Sequence, residues 1–320
     1  MGVCSSKSDI PDVNMDKKYS EEKSDHISGK LIYSSPLSRL YTEPYNKVNV
    51  IQTYGIDWAS DKLYISLGNW ISVHNSLKFE QIHKFEQYYK INVCFVNQRM
   101  KRIYFVNWID AMIYIHDLET MKRIGQFKCA WCDDSLHKIE YGRYSDALIS
   151  HDEKYIIVID YQNLIRVFDV DGILKKEIYT AELSQTWTNA LSEIPSVSKF
   201  PNKFTQHKNA IYTHSRKDNK IVGINFLTGK SAEFKVSAQI NCDNLLTAEH
   251  HDYLMLAAYN NNLYIMPSKS NTVHRCDFKG NRLSYFECNL PSKSAKHKRH
   301  MIIRNGVCCF VSDTNIALCT

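Results

Sequence analysis

From Lys30 onward the chain alternates between short apolar runs and polar turns, and long segments with the three-to-four-residue spacing of an amphipathic helix are missing. Short runs rich in Ile, Val, Tyr and Phe read as β-strands. The runs recur as a unit. KLYISLGNWISVHNSLKFEQIHKF (62–85) is followed by RIYFVNWIDAMIYIHDLETMKRIGQF (102–127) and KYIIVIDYQNLIRVFDVDGILKKEI (154–178). NAIYTHSRKDNKIVGINFLTGKSAEF (209–234) and DYLMLAAYNNNLYIMPSKSNTVHRCDF (252–278) come next, and GVCCFVSDTNIALCT (306–320) is a shorter sixth copy. Each unit holds an apolar strand, a polar turn, a second strand of I-x-V/I type, a turn and a third strand. Ile71, Ile113, Ile165, Ile221, Leu263 and Ile316 occupy equivalent positions, spaced 42, 52, 56, 42 and 53 residues apart.

A further strand fits ahead of each unit: VNVIQTYG (48–55), INVCFVN (91–97), DALIS (146–150), SVSKF (196–200), NLLTAE (244–249) and LSYFECNL (283–290). Four strands with short loops need about 40 to 50 residues, which matches the repeat. The pattern therefore predicts an all-β chain folded as one β-propeller of six four-stranded blades, with seven blades as the alternative count. Each sheet buries both faces against its neighbours, which suits unbroken apolar runs. A pair of β-sandwiches is the competing architecture, but sandwiches rarely repeat one pattern this many times. The sixth unit stops at Thr320 after three strands, while KLIYSSPLSRLYTE (30–43) is strand-like and has no sheet of its own. Residues 30–43 are thus expected to supply the outermost strand of the last blade and close the ring.

IYIHD (113–117) and IRVFD (165–169) place His116–Asp117 and Phe168–Asp169 in the slot of a Trp-Asp pair. On these marks the chain resembles the WD40-like β-propeller family over residues 30–320. It departs from that family in having no Gly-His pair, no true Trp-Asp pair and only 11 Gly. The resemblance implies the architecture and no particular member's function. Some six-bladed propellers are hydrolases with a central calcium site; here the predicted innermost strands offer mainly Asn and apolar residues. Propellers that read phosphoinositide headgroups use an Arg-Arg pair, which this chain lacks.

Composition changes the picture chiefly at the N-terminus. Of the 320 residues 44% are hydrophobic and 23% charged, the proportions of a globular domain, and no run approaches the length of a membrane-spanning helix. Residues 1–29 are polar and read as a flexible tail. The chain opens MGVCSS, the M-G-x-x-x-[ST] pattern for N-myristoylation at Gly2, with Cys4 placed for palmitoylation. One acyl chain holds a bilayer weakly and two hold it stably. The expected location is the cytoplasmic face of a membrane, plasma membrane or similar, as a peripheral lipid-anchored protein. Ten Cys without a secretory signal then read as small core residues.

The formal charge is +6. Residues 1–29 carry four Lys against six acidic residues, so the tail is −2 and the remainder +8. The excess concentrates in PSKSAKHKRH (291–300), with Lys293, Lys296, Lys298 and Arg299, and in Arg99, Lys101 and Arg102; Lys199, Lys203 and Lys208 form a third group. All three are expected in loops between first and second strands, of blades six, two and four. That is also the face from which the tail enters the ring, so these loops are read as membrane-facing.

No catalytic motif stands out: G-x-S-x-G, a P-loop, H-E-x-x-H and G-x-G-x-x-G are all missing. Cys129 and Cys132 have C-x-x-C spacing with His137 nearby, but no second pair completes a zinc site, so no metal or other cofactor is assigned. Trp58, Trp70, Trp108 and Trp187 are candidate partner anchors if exposed. The sequence thus reads as a non-enzymatic, membrane-tethered scaffold or adaptor for protein partners it does not name, with no nucleic acid expected. The alternatives are a central-channel hydrolase and a soluble propeller subunit of a larger complex.

Overall fold

The computed structural model describes residues 27–36, 54–59, 62–75, 80–91, 93–107, 110–129, 144–160, 164–179, 205–215, 220–236, 240, 254–267, 270–288, 290, 298–304, 306–312 and 315–320. Among these there are 23 strands and no helix. β1 (Leu31–Pro36) pairs far from its chain neighbours. β2 (Tyr54–Ala59), β3 (Lys62–Asn75) and β4 (Gln81–Ile91) form blade one. Blade two is β5 (Val93–Asn97), β6 (Arg102–Asn107), β7 (Met112–Asp117) and β8 (Arg123–Lys128). Blade three is β9 (Tyr144–Ile149), β10 (Tyr155–Asp160), β11 (Leu164–Asp169) and β12 (Leu174–Tyr179). Blade four is β13 (Thr205–His207), β14 (Ala210–Ser215), β15 (Lys220–Asn225) and β16 (Ser231–Lys235). Blade five is β17 (Leu254–Tyr259), β18 (Asn262–Pro267), β19 (Thr272–Cys276) and β20 (Arg282–Glu287). Blade six is β21 (Lys298–Arg304), β22 (Val307–Ser312) and β23 (Asn315–Cys319), completed by β1.

All pairings are antiparallel, and the fold is a six-bladed β-propeller. In blade one β3 takes two places: residues 62–67 pair with β2 and residues 68–74 with β4. Its two halves bury Leu63–Ser66 and Ile71–His74, as the middle strands of other blades do. Successive side chains of a strand point to opposite faces, and here both faces are seams between blades. In β5, Val93 and Phe95 pack with Ile156 and Val158 of blade three, while Cys94 and Val96 pack with Ile71 and Val73 of blade one. This two-sided burial is why the strands read as continuous apolar runs. A fully buried side chain such as Ile103 or Phe105 stabilises the fold by about 1.5–3 kcal/mol. The outer strands have one seam less to fill, and β8 and β20 are largely exposed.

Ring closure follows the sequence expectation and adds a detail to it. β1 pairs antiparallel with β23, Leu31 facing Cys319 and Pro36 facing Asn315. The third-to-fourth-strand turns of blades two to five share one device. Asn225 Oδ1 accepts the backbone N–H groups of Leu227 and Thr228 (both 2.9 Å), and Asn225 N–H donates to the Lys230 carbonyl at 2.8 Å. Lys230 N–H donates to Thr228 Oγ1 (3.3 Å), and Gly229 takes φ +79°. In blade six this turn is split between the two ends of the chain. Thr320 N–H donates to the Lys30 carbonyl (3.0 Å), Lys30 N–H reaches Ser28 Oγ (3.4 Å), and Gly29 takes φ +74°. Ser28-Gly29-Lys30 thus repeats Thr228-Gly229-Lys230, with Thr320 standing where Asn225 stands. Ser28 Oγ adds a bond of its own to the Thr320 carbonyl at 2.6 Å.

The structure corrects the sequence reading in blade five, which is shifted by one strand. LMLAAY is the innermost strand β17, not the second, and RLSYFE is the outer strand β20 of blade five, not the first strand of blade six. Leu263 therefore lies in a second strand, whereas Ile113, Ile165, Ile221 and Ile316 lie in third strands. The innermost strand of blade four is β13, later than SVSKF (196–200), and that of blade one is β2, which overlaps only the end of 48–55. SVSKF, NLLTAE and residues 37–43 lie outside the described residues.

Candidate functional site

Strand direction alternates within each blade. The first-to-second and third-to-fourth turns therefore open on one face of the ring, and the second-to-third and blade-to-blade connections on the other. Asp117 and Asp169, read from sequence as the ends of Trp-Asp-like pairs, cap the turns on the first face. Asp117 Oδ1 accepts from Thr120 N–H (2.7 Å) and Glu119 N–H (3.2 Å). Asp169 Oδ1 accepts from Ile173 N–H (2.8 Å) and Asp171 N–H (3.1 Å). Asp277 does the same for Lys279 and Asn281, both at 2.9 Å. The bonds to Thr120 hold the Asp117 carboxyl below the usual carboxylate range. The partner His116 is buried; its Nδ1 lies 2.8 Å from the Met121 carbonyl, and burial lowers its pKa.

The basic group of blade two lies where expected, in and beside the β5–β6 turn, but acids meet it there. Lys101 Nζ pairs with Glu119 Oε1 at 2.8 Å, and Arg102 Nη1 with Asp171 Oδ1 of blade three at 2.6 Å. The Glu119 hydrogen bond raises the Lys101 pKa, and the Asp171 bond raises that of Arg102. Arg99 donates its backbone N–H to Glu153 Oε2 at 2.8 Å. The charges of Lys101 and Arg102 are thus met by carboxylates, in pairs that solvent screens. Beside them Tyr104 O–H donates to the Val170 carbonyl at 3.0 Å, and burial pushes its pKa up to about 12. This patch is a link between blades two and three.

The stretch 291–300 sits elsewhere than the sequence placed it. β20 ends at Glu287 and β21 starts at Lys298, so it joins blade five to blade six and does not follow a first strand. Lys293 and Lys296 lie outside the described residues, as do the side chains of Lys298 and Arg299. The stretch therefore is not a first-to-second loop sharing a face with the tail, and a different contact brings its start near residues 27–30. Gly29 lies against the end of β20: a Cβ there would stand 2.0 Å from the Glu287 carbonyl oxygen and 3.1 Å from the Phe286 ring. Ile27 is buried in the blade five–six seam, in one cluster with Cys288, Leu290, Met301 and Cys319. Residues 27–30 are thereby pinned beside the point where the 291–300 stretch begins. Gly2 and Cys4 lie outside the described residues.

Cys129 is fully buried, its N–H donating to the Ala111 carbonyl at 2.8 Å; Cys132 and His137 lie outside the described residues. Among the described residues no three His, Cys, Asp or Glu side chains are grouped to hold a metal ion. Cys308 and Cys309 are both buried, on opposite faces of β22, and burial pushes both thiols up. Ser72 Oγ and His74 Nε2 approach to 2.7 Å, a contact the sequence did not suggest; both residues are buried on β3 and shut off from solvent. Of the tryptophans, Trp70 is half-buried under Lys84 Nζ, 4.2 Å from its ring centroid. Trp108, Trp187 and the Trp58 side chain lie outside the described residues.

No protein-family model matches the chain, and no curated protein matches it. Among solved structures it is similar to BamB from Moraxella catarrhalis, at 14% identity and TM-score 0.46 over 86% of this chain and 84% of that one. It is also similar to the computationally designed Ika8 protein, at 9% identity and TM-score 0.44 over 83% and 70% of the two chains. At these values the assignment of the fold rests on the chain's own sheets.

Proposed function

We propose that this chain is a non-enzymatic protein-interaction scaffold tethered to the cytoplasmic face of a membrane by acylation at Gly2 and Cys4. The propeller gives a rigid disc with two faces of loops, and the sequence carries no catalytic motif. The observation that carries the reading is the joint of the tether. Ile27 and Gly29 fix the root of the tail against β20, immediately before the basic stretch 291–300. Acyl chains and Lys293, Lys296, Lys298 and Arg299 then act on one bilayer from neighbouring points, each cation adding on the order of 1 kcal/mol near an anionic leaflet. Kinship with WD40-like propellers is part of the same proposal, and the Asp117 and Asp169 turn caps support it.

Intact mass of the protein from eukaryotic cells tests the anchor. A gain matching one or two acyl chains is expected, with loss of membrane fractionation in Gly2→Ala. An unmodified mass, or unchanged fractionation of Gly2→Ala, rejects it.

A further inference from the structure

The rim of blade five combines features that point to a surface. β20 presents Leu283 and Tyr285, 52% and 59% exposed, and Arg282 lies over the Tyr285 ring at 5.2 Å. Arg275, opposite Ser284 in the ladder, and Lys279 in the preceding turn are exposed as well. Two carboxylates stand among them and keep their charge: Asp277 caps its turn and bonds Asn281 Nδ2 at 2.7 Å, and Glu287 accepts from Thr272 Oγ1 at 2.5 Å, which leaves the three cations in excess by one. Along the same strand, Gly29 packs against Glu287 and Phe286, so residues 27–30 sit beside this rim. A Tyr with an apolar body and polar tip, an exposed Leu and flanking cations suit the membrane–water interface: the apolar groups enter it and the cations meet anionic headgroups.

We infer that the rim of blade five, through Leu283, Tyr285 and Arg282, rests on an anionic bilayer, so that the disc stands edge-on and both loop faces stay open to partners. The inference rests on the acyl-anchor reading and adds to it the contact surface. Ile124 on β8 of blade two, 55% exposed, supplies an internal control, because it is equally apolar and exposed but lies across the ring from the tether.

The myristoylated full-length chain is sedimented with phosphatidylcholine vesicles made with and without phosphatidylserine. The double variant Leu283→Ser/Tyr285→Ser is expected to weaken binding on the order of tenfold. Arg282→Glu should weaken it only where phosphatidylserine is present, and Ile124→Ser should bind as wild type. Thermal melting checks that each variant is folded. A double variant that binds like wild type, or loses no more than Ile124→Ser, overturns the rim contact and leaves the anchor standing. A wild-type acylated chain that ignores both vesicles overturns both.

Discussion

Blade four and blade six carry the same turn under different constraints. In blade four Asn225 and Lys230 are joined by covalent chain, and the turn's hydrogen bonds choose among a few local conformations. In blade six Thr320 and Lys30 are 290 residues apart, and the same bonds must hold together two ends that would otherwise separate. Closing so large a loop costs entropy that a local turn never meets. The split turn accordingly carries extra anchors: the bond from Ser28 Oγ to the Thr320 carbonyl, Ile27 in the seam, and the five-residue ladder of β1 on β23. One local motif thus serves as a bend in one blade and as a latch in another.

The largest effect should come from removing the latch. Deletion of residues 1–36 strips β1 and Ile27 from blade six and exposes the edge of β23. Loss of cooperative melting or a midpoint drop of more than about 10 °C is expected; a midpoint near wild type would mean the ring does not depend on its ends. Next, Gly29→Ala should cost more than Gly229→Ala. Both need positive φ, but the added methyl meets the Glu287 carbonyl at 2.0 Å in one case and only the Ile178 Cγ2 atom at 3.3 Å in the other. Chemical denaturation should show about 2–4 kcal/mol against about 1 kcal/mol. Equal losses would remove the distinction between the two turns.

Acid should open a different seam first. His207 stacks on Phe278 at 4.3 Å between blades four and five, and burial lowers its pKa to about 4. Burial also lowers His274, whose Nδ1 has no hydrogen-bond partner. A folded pKa below the unfolded value of about 6.5 gives stability that is present above pH 6.5 and lost as pH falls towards 4. The melting midpoint should therefore fall by several degrees between pH 7 and pH 4.5, and His207→Phe should flatten that slope. Hydrogen exchange that rises first at β1 and β23 in acid would contradict this. The smallest effect is at the hydroxyls: Ser28→Ala should cost about 1 kcal/mol and Thr228→Ala a few tenths, because only the first severs a link between chain ends.

Much of the ring was legible because burial on both faces of a strand leaves a strong mark. β5, β7, β11 and β15 were readable from VCFV, IYI, IRV and IVGI alone. The order of strands within a blade was less so, since LMLAAY as an innermost strand and AIYTHS as a second strand look alike. What separates them is which neighbours they bury against, and the shift in blade five followed from that. The basic group at Arg99, Lys101 and Arg102 reads in sequence as free positive charge because Asp171 is distant along the chain.

The sequence by itself determined that the chain is all-β, that its unit repeats six times, that the last unit lacks a strand and that residues 30–43 hold one. Each of these is a matter of local pattern, and local pattern is written residue by residue. Only the tertiary structure decided that Thr320 and Ser28-Gly29-Lys30 rebuild one turn, that Gly29 seats against Glu287, and that acids meet the basic residues of blade two. Those are contacts between residues far apart in the chain, set by how six sheets pack around an axis.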